Sequence, residues 1–230
     1  ASGLTSSLTL GTSGAVRTLA HHRELDPSGK TFCYYLAKDL WVIGGPTNNG
    51  GLVLEWLSRL FFGQPAELFQ HLDQALTLSP PGAKGLSFLP YINGERAPHW
   101  NANFTGSFLG ITTAHQRSDF IRAAIEGVFF NLKSIMCVHP VGEPHLSING
   151  GIFKHPALGQ LAATILEKDC LLSPHNEPGF GLLGLLDMQT HSAAKDALQH
   201  FQQDPEATSM YDAAYARFLY LAEEYAAQRQ

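Results

Sequence analysis

The chain has 230 residues, enough for one large domain or two small ones, and its 44% hydrophobic and 15% charged residues exclude a disordered chain. The formal net charge is −5 and the lysines and arginines form no cluster, which argues against nucleic acid and acidic membrane surfaces as partners. The longest apolar stretches fall well short of the roughly 18 residues that a membrane-spanning helix needs.

The first part of the chain is predicted to form short strands followed by two helices. Residues 6–10, 15–19, 31–36 and 41–44 are rich in β-branched and aromatic residues, and turn residues separate them. From Thr47 onwards the apolar spacing becomes helical, with Asn48 or Asn49 as a candidate N-cap. A second helix is predicted over residues 65–78, where a Ser-Pro-Pro-Gly breaker follows.

The remainder of the chain alternates between strands and helices around one long loop. Residues 92–106 are rich in glycine, proline and asparagine and predict this loop, which at such a length is functional or disordered. Strands are predicted at residues 86–91, 107–111, 146–148 and 170–172. Helices are predicted at residues 120–136, 156–167, 181–190, 192–200 and 207–227. This alternation indicates an α/β fold.

Three glycine-rich turns could bind an anionic ligand. Gly11-Thr12-Ser13-Gly14 lies between two predicted strands and would expose N–H groups and two hydroxyls to a phosphate, although a plain tight turn is the more frequent explanation for four such residues. Gly150-Gly151 follows a strand and precedes a helix, whose N-terminus favours negative charge. Asn48-Asn49-Gly50-Gly51 precedes another helix. The three turns would form one nucleotide cleft if the fold brings them together, which spacing alone does not decide.

The long loop contains the segment Gly94-Glu95-Arg96-Ala97-Pro98-His99-Trp100, which combines two opposite charges with an aromatic residue. We expect an internal ion pair between Glu95 and Arg96 and a buried Trp100 to lock this loop. This structural role is favoured over direct catalysis.

Several common catalytic and metal-binding motifs are absent. There is no GxxxxGK[ST], which excludes a P-loop NTPase, and neither GxSxG nor HExxH occurs. The 11 histidines are scattered without zinc-site spacing on a helix, and we interpret them as surface or core residues. No metal site is therefore predicted within the chain.

The cysteines indicate a reducing compartment. Cys33, Cys137 and Cys170 are widely spaced, odd in number and lack a CxxC motif, which argues against a disulfide framework. The N-terminus also lacks the basic and apolar regions of a signal peptide. We therefore predict a cytoplasmic location.

Taken together in this order, these segments resemble the C-terminal domain of the FGGY carbohydrate kinases. The resemblance extends over nearly the whole chain and includes residues 10–15, 45–51, 89–91, 94–100, 106–112, 121–127 and 149–151, followed by Gln160. No single motif is specific, but their order and intervals together are. The Thr-Asn-Asn-Gly-Gly and Gly-Glu-Arg-Ala-Pro-His-Trp forms, with Phe-Cys-Tyr-Tyr upstream, look most like gluconate kinases, and xylulose kinases are the nearest rival.

The resemblance implies a fold and a ligand. It implies an actin-like ATPase (ribonuclease H-like) domain, with a mixed sheet flanked by helices, in which residues 1–230 form the C-terminal nucleotide-binding domain. The implied ligand is ATP with Mg²⁺, with Gly11 and Thr12 at the phosphates and Gly150 and Gly151 flanking the adenosine. The implied nucleotide-binding residues are Gly11, Thr12, Ser13, Gly51, Glu55, Gly150, Gly151, Phe153 and Lys154.

The chain departs from the family pattern at three places. Phe153 and His155 stand where the family usually has a small residue and a serine, and Ala163-Thr164 replaces an alanine-aspartate pair. Phe104-Thr105 replaces a small residue and an arginine in the long loop. These departures bear on nucleotide affinity rather than on the fold.

The resemblance also places the catalytic base outside this chain. In the family, the base is an aspartate upstream of the Gly-Thr-Ser-Gly hairpin, in an N-terminal domain that also holds most of the sugar site. Ten residues precede Gly11, and none of them is acidic. We therefore expect this chain to be inactive alone and to need the N-terminal domain as its partner.

Two kinds of function remain open. The first is half of a kinase that transfers the γ-phosphate of ATP to a small sugar substrate, gluconate giving 6-phosphogluconate or else a xylulose-type sugar. The second is a non-catalytic module that binds nucleotide. Because separation from the other domain would bare an apolar face, we also expect self-association, with a homodimer as the simplest form.

Overall fold

A mixed seven-stranded β-sheet is the centre of the molecule in a computed structural model that describes residues 6–138, 144–172 and 199–229. The strands are β1 (Ser6–Leu10), β2 (Gly14–Ala20), β3 (Phe32–Ala37), β4 (Leu40–Thr47), β5 (Ser87–Leu89), β6 (Ser107–Leu109), β7 (His145–Asn149), β8 (Asp169–Leu172) and β9 (Gln199–Phe201). The large sheet has the order β3-β4-β2-β1-β7-β8-β9, and β5 and β6 form a separate antiparallel pair.

Five α-helices accompany the sheet in the part of the chain that the structure describes. They are α1 (Gly51–Phe62), α2 (Leu68–Leu78), α3 (Arg117–Val138), α4 (Pro156–Leu166) and α5 (Pro205–Ala227). The predicted α/β class, with a mixed sheet flanked by helices, is thus confirmed. None of the helices in the described ranges is both long enough and apolar enough to cross a bilayer.

Strand register brings three strand ends to one edge of the sheet. Strand β1 runs parallel to β7, with Thr9 paired to Asn149. At the end of β1, Leu10 pairs with Gly14 of β2, and Gly14 in turn pairs with Thr47, the last residue of β4. The chain segments that leave β1, β4 and β7 therefore all start at this edge, which we call the carboxyl edge.

Helix α3 is the centre of the hydrophobic core. Its predicted apolar face is buried, and so are several of its polar residues, because the helix packs against β5, α2 and α4 as well as the sheet. An added Cβ at Gly127 would collide with the carbonyl oxygen of Phe88, so a glycine is required where α3 crosses β5. Helix α4 packs beside α3 against strands β8 and β9, where Gly159 lies against the Phe201 ring.

Several predicted elements differ from the structure. The predicted strand over residues 86–91 is only three residues long, and the helix predicted over residues 65–78 starts at Leu68. Part of the helix predicted over residues 192–200 is instead strand β9, which pairs antiparallel with β8. The rest of that helix and the helix predicted over residues 181–190 lie outside the described residues.

The predicted N-cap of α1 is also wrong. The cap position is Gly50, without a side-chain cap, and α1 begins at Gly51. The Asn49 side chain faces the long loop instead, where its Nδ2 donates to the Gly94 carbonyl over 2.7 Å and its Oδ1 accepts from the Asn93 N–H over 3.1 Å. Asn49 therefore ties the turn before α1 to this loop.

Candidate functional site

The three glycine-rich turns converge at the carboxyl edge of the sheet. The Gly51 N–H donates to the carbonyl of Gly11 over 2.6 Å, and the N–H groups of Gly50 and Leu52 both donate to the carbonyl of Thr12, over 3.2 and 3.1 Å. The β1–β2 hairpin therefore caps the N-terminus of α1 with its own carbonyls. These amides of α1 are occupied by protein, so they do not add to an anion site.

The Gly150-Gly151 turn, which follows β7, packs against the β1–β2 hairpin. Gly150 has φ +123°, and an added Cβ there would collide with the carbonyl oxygen of Leu10. A side chain at Gly51 would lie 2.8 Å from the Gly11 oxygen and 3.2 Å from Cγ2 of Ile152. Glycine at these two positions lets the turns after β1, β4 and β7 touch one another.

The tip of the hairpin offers free hydrogen-bond donors. The Gly11 N–H is bonded to the Ser13 carbonyl over 2.9 Å, and Thr12 and Ser13 are exposed. Within the described ranges, the N–H groups of Thr12 and Ser13 donate to no protein acceptor. Two amides and two hydroxyls in one short turn form a local positive surface that suits a phosphate group.

A pocket of about 210 Å³ opens beside the Gly151 turn. Its lining residues are Phe69, Gly151, Ile152, Lys154 and His155. An added Cβ at Gly151 would meet nothing within 4 Å, so this glycine leaves the pocket open. The pocket combines an aromatic ring from α2 with an exposed lysine, which suits a ligand that has both a planar and an anionic part.

The remaining predicted binding residues lie outside this pocket. Phe153 is fully buried in the core, so its side chain is unavailable to a ligand at this edge. Glu55 lies one turn along α1 from Gly51, and its carboxylate forms an exposed ion pair with Arg59 at 2.6 Å. A short 3₁₀ segment, Gly151–Lys154, follows Gly150, and α4 begins at Pro156, as the sequence predicts.

Glu95 fixes the turn before α1, which the sequence did not reveal. Its side chain is 2% exposed and accepts hydrogen bonds from Oγ1 of Thr47 at 2.7 Å and Nδ2 of Asn131 at 2.9 Å. It also accepts from the Asn48 N–H at 3.2 Å and from Nδ2 of Asn49 at 3.2 Å. Burial raises the pKa of the Glu95 carboxyl, and these hydrogen bonds oppose the rise.

The expected internal lock of the long loop is wrong in both its parts. Arg96 directs Nη2 to the Thr47 carbonyl over 3.0 Å, while the Glu95 carboxylate binds β4 and the turn that follows it. Trp100 is 47% exposed, and its indole N–H donates to the Lys30 carbonyl over 3.0 Å. The side chains of Glu95 and Arg96 thus tie the loop to the end of β4, and paired backbone hydrogen bonds between Glu95 and Asn101 close it internally.

Comparison with known families accounts for most of the chain. Residues 6–193 match the FGGY family of carbohydrate kinases, C-terminal domain. Among curated proteins, a gluconokinase of Bacillus licheniformis is 38% identical over 195 residues, which cover 77% of this chain and 38% of that protein. A xylulose kinase of Bacillus subtilis is 38% identical over 147 residues, covering 62% of this chain and 29% of that protein.

Solved structures show the same architecture. A gluconate kinase from Lactobacillus acidophilus superposes with a TM-score of 0.84 at 32% identity, covering 96% of this chain and 47% of that one. A ligand-bound xylulose kinase from the same organism also gives a TM-score of 0.84 at 32% identity. The chain therefore spans less than half the length of these relatives.

Proposed function

The chain belongs to the FGGY family of carbohydrate kinases, and on that premise we propose that its converging glycine turns form the nucleotide-binding half of an ATP-dependent sugar kinase. The observation that carries this proposal is the contact among the three turns. They are separate in sequence, yet the hairpin carbonyls bond the start of α1, and Gly150 packs on Leu10. We propose residues 1–230 as the nucleotide domain, consistent with the share of each relative that the chain spans.

The proposed nucleotide site has two parts. The exposed amides and hydroxyls of Thr12 and Ser13 would bind the terminal phosphates, because phosphoryl transfer depends mainly on positioning and on stabilisation of charge. The adenosine would occupy the pocket between Phe69 and Gly151, with the exposed Lys154 beside it. Gly11, Gly51 and Gly150 would shape the backbone between these two parts.

We further propose Mg²⁺ as the metal that accompanies ATP. The groups at the hairpin tip include N–H donors, so they fit phosphate oxygens rather than a cation, whose usual protein ligands are carboxylates. Bound Mg²⁺ would neutralise charge on the phosphates. Carboxylate ligands and the general base would then come from the N-terminal domain.

Gluconate is the proposed acceptor, since two gluconokinases are 38% and 37% identical over alignments that cover 77% of the chain. A xylulose-type sugar is the second candidate, because a xylulose kinase reaches the same identity over a shorter stretch. We also propose a cytoplasmic location, and self-association of the isolated chain remains a prediction.

A coupled assay of ADP release by the full-length protein tests the activity. We expect turnover with Mg-ATP and gluconate, slower turnover with xylulose, and no turnover by residues 1–230 alone, because the base lies elsewhere. Faster turnover with xylulose would identify a xylulose-type sugar as the acceptor and would still support the proposed kinase activity. If a folded full-length protein binds ATP but phosphorylates neither sugar, the kinase proposal fails in favour of a non-catalytic module.

A further inference from the structure

Three metal-binding side chains lie side by side on the last three strands of the large sheet. His145 of β7 pairs directly with Asp169 of β8, and His200 of β9 pairs with Leu171, two residues further along β8. Side chains two residues apart on a strand share a face, so all three point to the same side of the sheet. Their neighbours Leu146, Cys170 and Phe201 are buried in the core, on the opposite face.

We propose that His145, Asp169 and His200 form a binding site for a divalent transition metal ion. Nδ1 of His145 lies 3.7 Å from Oδ2 of Asp169, and Nε2 of His200 lies 3.9 Å from the same oxygen. The three ligand atoms all lie within 4.8 Å of one another.

These separations need little adjustment to bind an ion. In a tetrahedral site with metal–ligand bonds of about 2.1 Å, the ligand atoms stand about 3.4 Å apart. The two imidazoles are 46% and 39% exposed, so they can rotate to close the remaining gap. In a tetrahedral site, three protein ligands leave the fourth coordination position for water.

The carboxylate is already held in a suitable orientation. Oδ1 of Asp169 accepts a hydrogen bond from the Gln203 N–H over 3.1 Å, which leaves Oδ2 turned towards the two histidines. Such a second partner orients a ligand before the metal arrives and raises affinity. The three-ligand set of two imidazoles and one carboxylate favours Zn²⁺, Co²⁺ or Ni²⁺ over Mg²⁺, which prefers oxygen ligands alone.

The site is separate from the proposed nucleotide site. His145 begins β7 and Gly150 follows its end, so the strand's length, roughly 13–17 Å at about 3.3 Å per residue, lies between them. A metal here would join β9 to β7 and β8 and stabilise this side of the sheet, without taking part in phosphoryl transfer.

Titration of the tag-free chain with Co²⁺, followed by visible absorption, and with Zn²⁺, followed by calorimetry, tests the inference. We expect one site per chain and a Co²⁺ spectrum of low coordination number. Asp169→Asn keeps the acceptor for Gln203 but removes the charge, and it should weaken binding at least about tenfold. His145→Ala and His200→Ala should do the same, with circular dichroism confirming that each variant is folded.

His22→Ala is the matched control, because His22 lies on an exposed turn, 2.7 Å from the Glu24 carboxylate, and belongs to no group of three metal-binding side chains among the described residues. Binding should be unchanged in this variant. The proposal is overturned by the absence of stoichiometric binding at millimolar metal, by unchanged affinity in folded His145→Ala and His200→Ala variants, or by loss of binding in His22→Ala.

Discussion

At the scale of single residues, Glu95 shows how a buried charge can position a binding turn. Its carboxylate accepts hydrogen bonds from the end of β4, from the turn that leads to Gly51 and from α3. A buried carboxylate is tolerated only when its oxygens are satisfied in this way. Glu95 is thus a positioning residue for the turn, without contact with the proposed ligand.

We predict that Glu95→Ala lowers the free energy of unfolding by about 3 kcal/mol or more, because the donors on Thr47 and Asn131 lose their acceptor. Urea denaturation followed by circular dichroism measures this change. Glu55→Ala is the control, since it breaks an exposed pair with Arg59 and should cost less than about 1 kcal/mol. Equal losses in the two variants would contradict the role assigned to Glu95.

Single residues also show what the sequence could and could not predict. Glycine positions were informative, because a turn that must touch another backbone excludes a side chain, as at Gly150. The environment of Trp100 and Phe153 was not predictable, since exposure depends on which distant segment covers a residue. Phe69 was missed because an aromatic residue on an amphipathic helix has no feature that distinguishes pocket from core.

At the scale of elements, periodicity predicted α3 and most strands, but not what ends or caps them. The start of α1 is set by carbonyls of the β1–β2 hairpin, which are remote in sequence. By contrast α5 has a local cap, in which Asp204 accepts from the N–H groups of Glu206 and Ala207. Strand β9 was wrongly predicted as helix, because a three-residue strand is defined by its pairing with β8 rather than by its own pattern.

Helix α3 also buries an ionisable pair at its centre. Nη1 of Arg122 lies 3.2 Å from the Glu126 carboxylate and donates to the hydroxyl of Tyr211 over 2.9 Å. Burial raises the pKa of Glu126 to about 7 from its ordinary 4.5, and Arg122 only partly opposes this rise. Between about pH 4.5 and pH 7, Glu126 is therefore protonated in the folded protein and ionised in the unfolded chain.

We predict that this proton makes stability fall as pH rises from about 4.5 to about 7, by up to about 3 kcal/mol. Glu126→Gln keeps an acceptor for Arg122 and removes the titration, so it isolates the effect from other carboxyls. Urea denaturation at pH 5 and pH 8 should show wild type losing stability relative to the variant at the higher pH. An identical pH dependence for both proteins would contradict the prediction.

At the scale of the whole molecule, the fold class and the family could be predicted because the motifs follow one another in a characteristic order. Their convergence could not, since it depends on the register that aligns Leu10, Thr47 and Asn149 at one edge. The His145–Asp169–His200 cluster was missed for the same reason. Its members are far apart in sequence and become neighbours only through strand pairing.

If the carboxyl edge of the sheet binds ATP, as proposed, Gly151→Phe should block the site with little disturbance of the fold. An added Cβ at position 151 would meet nothing within 4 Å, and Gly151 lines the pocket beside Phe69, so a bulky side chain there should obstruct the pocket. Ala213→Phe is the matched control, because it adds the same ring to an exposed position on α5.

The most direct measurement is a calorimetric titration of the chain and of the full-length protein with Mg-ATP. We predict saturable binding at one site, weakened at least about tenfold by Gly151→Phe and unchanged by Ala213→Phe. Binding that is unaffected by Gly151→Phe, or no binding by either the chain or the full-length protein, would contradict the claim.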